Sequence, residues 1–300
     1  MADKFKLSSS LIVAKPLPDN SYALLLMKRK KGMIFSEAHV FPGGHWETAD
    51  SMTHWGPVLN LQPDLIPKTP ATPELELNSM RIAAIRETFE ESGIFIGPKP
   101  LGPPVTGDFL KLCREKNSLP ELARLKLFSR IITPIGGARQ RFDTVFFFTF
   151  VPADTEFTLT EESESAAWLT PLQILNLADK GKIILLPPQI FLIMQIAHYS
   201  TISELTPMLS TGINLFPIPF IRKHPDDPNT TLVLMYGDEL YPTPSFLPPV
   251  HGKRHRLYVT KQPGLRSEIS PGLVPFMDAA PWQLVKDANG EFRLITKSRL

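Results

Sequence analysis

The stretch "RETFEESG", Arg86 to Gly93, sets three carboxylates within five residues and closes on a glycine. Like charges at that spacing repel, so the fold must turn them all to water or offset them with a cation. At about 100° per residue, Glu87, Glu90 and Glu91 fall within an arc of roughly 100°. Ile82, Ile85 and Phe89 take the opposite side, so the segment carries a core stripe and an acidic stripe. Arg86 precedes Glu90 by four residues, the spacing at which a pair orients a carboxylate. The pattern predicts a helix from about Pro73 or Asn78 to Ser92, stopped by a left-handed residue at Gly93. Taken alone, such an acidic stripe reads as a solvated face.

The upstream sequence favours a site. "AHVFPGGHWETAD" predicts a strand running into a glycine turn, and the Gly43–Gly44 pair admits a backbone path closed to other residues. Beside clustered carboxylates, such a loop leaves room for a phosphate and a hydrated hard cation, Mg2+ or Mn2+. "SSSLIVAKPLPDNSYALLLMKRK" predicts strand, turn, strand, broken at Pro18 to Asn20. From Ser51 to Thr72 no period appears, and prolines punctuate the stretch; an insertion over about 51–78 is expected. Thr144 to Val151 is β-prone, whereas "WLTPLQILNLADKGK" and "PPQIFLIMQIAHYSTISEL" suit helices. Past about Thr206, "TTLVLMYGDELYP", "HRLYVTKQ" and "EFRLITK" are short strand candidates. The expected organisation is a core over 1–205 and a β-rich extension over 206–300 packed on it.

Composition narrows the function classes. A 43% hydrophobic content over 300 residues supports a sizeable core. A net charge of +2 with interspersed signs gives no nucleic-acid-coating surface. The single cysteine, Cys113, excludes an intramolecular disulfide and fits a core position in a reducing compartment. Leu11 to Ala14 is too short for a signal-peptide core, and "IFLIMQIA" from Ile190 is too short to cross a bilayer. A protein without a membrane span, not secreted by the usual route, is expected.

The chain resembles the Nudix hydrolases, whose signature is Gly, five residues, Glu, seven residues, then Arg-Glu-apolar-X-Glu-Glu-X-Gly-apolar. Here Gly44 is followed after five residues by Asp50, and Arg86 to Ile94 supply the second half. Asp50 stands for the first Glu, Thr88 for an apolar residue, and 35 residues separate Asp50 from Arg86 where the signature has seven. A split box of this kind is similar to that of the peroxisomal coenzyme A diphosphatase branch. That branch is also echoed by "AHVFPGG", "AIRETFEE", "RFDT", "PPQ" and "GDELY".

The resemblance implies an α/β fold: an α/β/α sandwich around a mixed sheet, with a long insertion within the box and a β-rich C-terminal extension. It implies Glu87 and Glu91 as ligands of Mg2+ or Mn2+, Glu90 as a third ligand or the base, and Arg86 as the residue orienting them. Gly43 and Gly44 would border the substrate. The base is open to a second source, "TEESESAAW", with Glu161, Glu162 and Glu164, which read equally as a solvated acidic turn.

The implied reaction cleaves coenzyme A or an acyl-coenzyme A to adenosine 3′,5′-bisphosphate and (acyl)phosphopantetheine. The 3′-phosphate asks for a basic contact, for which Arg29, Lys30, Lys31, Arg139 and Arg141 are candidates. Two other readings stay open: a Nudix pyrophosphatase acting on ADP-ribose, dinucleotides or nucleotide sugars, and a non-catalytic Nudix-fold binding module. The last three residues, Ser298, Arg299 and Leu300, resemble a peroxisomal address of the Ser-Lys-Leu type. They would engage a peroxisomal import receptor; without one the protein is cytoplasmic.

Overall fold

The first long strand, β1 (Lys6–Pro16), is buried almost throughout, because it lies between two other strands and under helices on both faces. It runs parallel to β6 (Phe142–Phe150) and antiparallel to β2 (Tyr22–Arg29). Alternation along these strands sorts the core into two layers. Leu11 and Val13 of β1, Leu25 and Met27 of β2, and Val145 and Phe147 of β6 pack on one face. Ile12 and Ala14, Leu24 and Leu26, and Phe146 and Phe148 pack on the other. Near-continuous apolar runs are what a sheet covered on both sides demands.

The computed structural model describes residues 5–32, 36–59, 73–134, 140–160, 163–211, 219–235, 238–242, 255–259, 265–269 and 282–296. In the main sheet the strand order is β5 (Lys126–Ile132), β6, β1, β2, β3 (Ala38–Val40) and β8 (Ile184–Leu185). β4 (Gly43–His45) adds to β1, and β7 (Ser163–Leu169) adds to β2. Parallel and antiparallel pairs coexist, so the sheet is mixed, as expected. One layer holds α1 (Met52–Trp55), α2 (Pro73–Ser92) and α3 (Phe109–Glu115), with Cys113 fully buried among them. The other holds α4 (Pro171–Asp179), α5 (Pro187–Ile196) and α6 (Ile202–Thr211). None of the described helices is long and apolar enough to cross a membrane.

Several expectations are refined. α2 ends as predicted: Gly93 has φ +72° and its N–H donates to Phe89 O at 2.8 Å. "AHVFPGGH" is two short strands on different partners, not one strand and a turn. Pro42 has no N–H to continue a ladder, and its carbonyl instead accepts from Leu11 N at 2.9 Å. Gly43, at φ +151°, passes so close to β1 that a Cβ would sit 2.4 Å from Ser9 O. The aperiodic stretch after Ser51 opens with α1, anchored by the buried Trp55, whose Nε1 donates to Ala49 O at 2.9 Å. Its middle, from 60 to 72, lies outside the described residues, and 73–78 already belongs to α2. Trp168 and Leu169, read with a helix, end β7; Thr170 then caps α4, accepting from Gln173 N.

Beyond α6 the described chain is β-structured. β9 (Phe220–Lys223), β10 (Thr231–Leu234), β11 (His255–Val259) and β12 (Arg266–Ile269) form an antiparallel sheet; β13 (Trp282–Lys286) pairs with β14 (Phe292–Thr296). Val233, Met235, Leu257 and Phe292 join the same apolar cluster as α5. Asn176 of α4 holds β14 by accepting from Phe292 N at 2.7 Å. Ser298, Arg299 and Leu300 lie outside the described residues.

Candidate active site

The acidic stripe of α2 does not face open water. It faces β4 across a narrow gap, and the solvated-face reading fails there: Glu91 is 8% exposed and Glu87 and Glu90 are largely covered. Glu91 Oε2 accepts from Gly43 N at 2.9 Å. The Glu87 carboxylate lies against Gly44, where a Cβ would come within 2.5 Å of it. The glycine pair is therefore required twice: Gly43 by its approach to β1, Gly44 by its approach to a carboxylate.

Arg86 organises the cluster. Its Nε and Nη2 grip Asp50 Oδ1 and Oδ2 at 2.9 Å each, the bidentate fork suited to a carboxylate. Nη2 also donates to His45 O, and Nη1 reaches Glu87 Oε1 and Glu90 Oε2 at 3.0 Å. Asp50, 1% exposed, further accepts from Glu47 N at 2.9 Å. Its side chain ties the entry of the insertion to the helix that follows it, so the box closes in space although 35 residues divide it in sequence. Thr88, the second departure from the signature, is fully buried; its hydroxyl donates to Ala84 O at 2.7 Å.

The electrostatics follow from this crowding. Burial raises Glu87 to about 7; the charges of Glu90 and Asp50 act the same way, and Arg86 offsets part of the effect. Glu90 is also raised, first by burial, then by Glu47 and Asp50, against the pull of Arg86. Burial alone would lower Arg86, but Asp50 with the Glu87 and Glu90 charges more than reverses that and keeps it a cation.

Arg86, Glu87, Glu90 and Glu91 line a cavity of about 580 Å³. Gly43, Gly44 and Arg29 line it as well. Lys30 does not; it is exposed just past the end of β2. Arg141 is drawn into the framework instead: its Nε donates to Thr133 O at 2.8 Å and its guanidinium lies over the Phe5 ring. Glu164 is exposed and paired with Lys28 at 2.8 Å, away from the cavity walls. Glu161, Glu162 and Arg139 lie outside the described residues. Sequence reasoning missed Glu47, Ser8 to Ser10 and Phe142 as cavity residues. His45 ends β4, stacks on Phe142 at 5.3 Å and also lines the cavity.

Among the described residues, no three His, Cys, Asp or Glu side chains are gathered to hold a metal as they stand. Arg86 and the Gly43 N–H draw carboxylate oxygens that a cation would share. The residues nevertheless fit a hard divalent ion. All three candidate donors are carboxylates, Gly44 keeps open the space beside Glu87, and the raised Glu87 marks negative charge that Arg86 does not balance.

A family model described as the NUDT19 Nudix domain matches residues 104–196. That match begins after the box helix, so it is independent of the acidic signature. The acyl-coenzyme A diphosphatase NUDT19 of Gallus gallus is 29% identical, over 76% of this chain and 75% of that protein. The protein of the same name from Xenopus laevis is 29% identical, over 74% and 72%. In fold, the chain is similar to a Nudix hydrolase from Alicyclobacillus acidocaldarius, with a TM-score of 0.55 and 19% identity over 70% of this chain and 97% of that one. A split box closed by Asp50 and Arg86, the mixed sheet between helical layers, and likenesses along the rest of the chain converge: the chain is similar to the Nudix hydrolases, enzymes that cleave diphosphate bonds, and among them to the acyl-coenzyme A diphosphatases NUDT19.

Proposed function

We propose that the chain hydrolyses coenzyme A or an acyl-coenzyme A at its diphosphate, releasing adenosine 3′,5′-bisphosphate and (acyl)phosphopantetheine. The observation that carries this is the cavity's two-sided chemistry. Carboxylates and Arg86 line it together with uncharged residues of α5 and the C-terminal strands, the mixed lining that a diphosphate with a long neutral arm calls for. The relatives' name, acyl-coenzyme A diphosphatase, supports the same substrate class.

Nudix hydrolases generally use divalent metal ions, and Glu87, Glu90 and Glu91 are the residues that would hold one here. When bound, Mg2+ or Mn2+ supplies positive charge for the phosphate oxygens and a water of lowered pKa. Arg86 keeps Glu87 and Glu90 turned toward the cavity by donating to one oxygen of each. Glu90, whose pKa burial raises, would take the proton of the attacking water if it is not a third ligand. The Gly43–Gly44 backbone borders the phosphates, and Arg29 on the cavity wall is the cation available to a further phosphate. A peroxisomal location rests on the resemblance of Ser298, Arg299 and Leu300 to an address. Fluorescent fusions with and without that triplet test it: loss of punctate signal is expected on deletion, and a diffuse signal with the triplet present would overturn it.

The test of the reaction is a substrate panel with Mg2+ or Mn2+, products being identified by mass spectrometry. Coenzyme A esters are expected to give the bisphosphate and the phosphopantetheine. Efficient cleavage of ADP-ribose with coenzyme A esters untouched would overturn the assignment and leave the nucleotide-sugar class in its place.

A further inference from the structure

Besides the acidic helix, the cavity is lined by the N-terminus of α5 and by β9–β10. The character of this part differs from the rest. No described lining residue from these elements is charged. Pro187 and Pro188 occupy the first turn of α5 and remove two of the N–H groups that would otherwise attract an anion there. Ile221, Val233 and Met235 supply an apolar wall from the C-terminal strands. Within it sits one polar side chain, Gln189, 7% exposed, whose Oε1 is buried with no hydrogen-bond partner among the described residues. A buried carbonyl left unmatched costs about 1–3 kcal/mol, and this one belongs to a residue that lines the cavity.

We propose that this part of the cavity is the subsite for an S-acyl-pantetheine arm. The side chains of Ile221, Val233 and Met235 take the acyl chain, and Gln189 Oε1 accepts from an amide N–H of the arm. The inference rests on the coenzyme A reading and adds to it a specificity element contributed by the C-terminal strands. A phosphate or a ribose gains nothing from an uncharged wall, whereas an arm with secondary amides and a hydrocarbon tail matches both features. The acidic helix thus supplies the reacting groups, and a separate sheet selects the substituent.

Binding isolates this claim from turnover. Phosphopantetheine and S-dodecanoyl-phosphopantetheine are titrated calorimetrically into the full chain, wild type and variants. The wild type is expected to bind the dodecanoyl form about tenfold more tightly or better, since a few buried methylenes suffice for that. Ile221→Trp fills the wall from a half-buried position and should erase the gain. Ile221→Ser, which adds no bulk, should also reduce it, so misfolding of one variant leaves the other. Gln189→Leu should weaken both ligands about fivefold to tenfold by removing the acceptor. Equal affinity for the two ligands in the wild type, or an undiminished gain in both Ile221 variants, would overturn the proposal. Failure of the reaction itself is visible separately: a preserved acyl gain with no cleavage of coenzyme A esters sinks the diphosphatase reading and leaves the subsite standing.

Discussion

Two buried arginine–aspartate clamps can be compared within the chain. Arg86 grips Asp50 with two parallel bonds and reaches Glu87 and Glu90 with its remaining nitrogen. Arg256 grips Asp238 in the same fork, at 2.7 and 2.8 Å, and reaches Glu239 at 3.0 Å. Both arginines have raised pKa values, burial being the opposing influence and the aspartate bond the leading favourable one. The difference lies in their settings. Arg86 faces three carboxylates, of which Glu87 and Glu90 border the cavity, whereas Arg256 and Asp238 lie away from its walls. A buried clamp is thus a structural device in either place. It becomes part of a reaction site only where it gathers more negative charge than it offsets, beside a space that a ligand can enter.

The sharpest test removes that charge. Glu91→Gln keeps the size of the side chain and an acceptor for the Gly43 N–H, but loses a charge for the metal. Activity at fixed Mg2+ is expected to fall at least about 100-fold, with little change in metal-free thermal unfolding. A rate near that of the wild type at saturating metal would move the reaction elsewhere in the molecule.

Next in size is stability. Breaking a buried ion pair from one side costs about 3–5 kcal/mol, so Asp50→Ala and Asp238→Ala should both lower the denaturation midpoint substantially. They should part company in kinetics. Asp50→Ala frees Arg86 from its anchor and should reduce kcat of the folded protein, while Asp238→Ala should leave kcat per folded molecule unchanged. Equal losses of kcat in both would erase the distinction between the clamps.

A smaller effect follows from the Glu87 pKa of about 7. Between about pH 4.5 and 7 the folded protein holds this proton and the unfolded chain has released it. The group's contribution is therefore complete below the unfolded value and is lost as pH rises through 7. Metal-free protein should lose about 1–3 kcal/mol more between pH 5 and pH 8 than Glu87→Gln does. Adding Mg2+ at pH 8 should recover part of that loss in the wild type only. Superimposable pH profiles for the two proteins would remove charge crowding from the account.

Much of the acidic cluster was legible in the sequence because local periodicity places Glu87, Glu90 and Glu91 on one face and Gly93 at the stop. The Asp50–Arg86 clamp was legible only through resemblance, since nothing local brings together residues separated by 35 others. "GDELY" was noticed as a word without a physical role; the fold gives it one, the grip of Asp238 on Arg256. The uncharged part of the cavity lining was not legible at all. Ile221, Val233 and Met235 meet α5 through tertiary packing, and their strands are too short and too ordinary to announce a wall. "PPQ" likewise conceals that its glutamine ends up with a buried oxygen unmatched among the described residues.

The smallest effect concerns Thr88, a buried polar residue on α2 that belongs to neither clamp. Its hydroxyl donates to Ala84 O, a carbonyl four residues back that the helix ladder already satisfies. Thr88→Val keeps the β-branched shape and leaves no acceptor stranded, because only the extra bond to that carbonyl is lost. The hydroxyl's desolvation is relieved at the same time. The two contributions nearly cancel, so the change in stability should stay within about 1 kcal/mol of zero. Activity should be unaffected, because Thr88 is fully buried and does not line the cavity. Urea denaturation measures the first expectation, and kcat/KM with a coenzyme A ester measures the second. A loss above about 2 kcal/mol would mean that this hydrogen bond fixes the helix as the clamps do. Buried polarity on α2 would then have to be treated as one cooperative network, not as a clamp and a bystander.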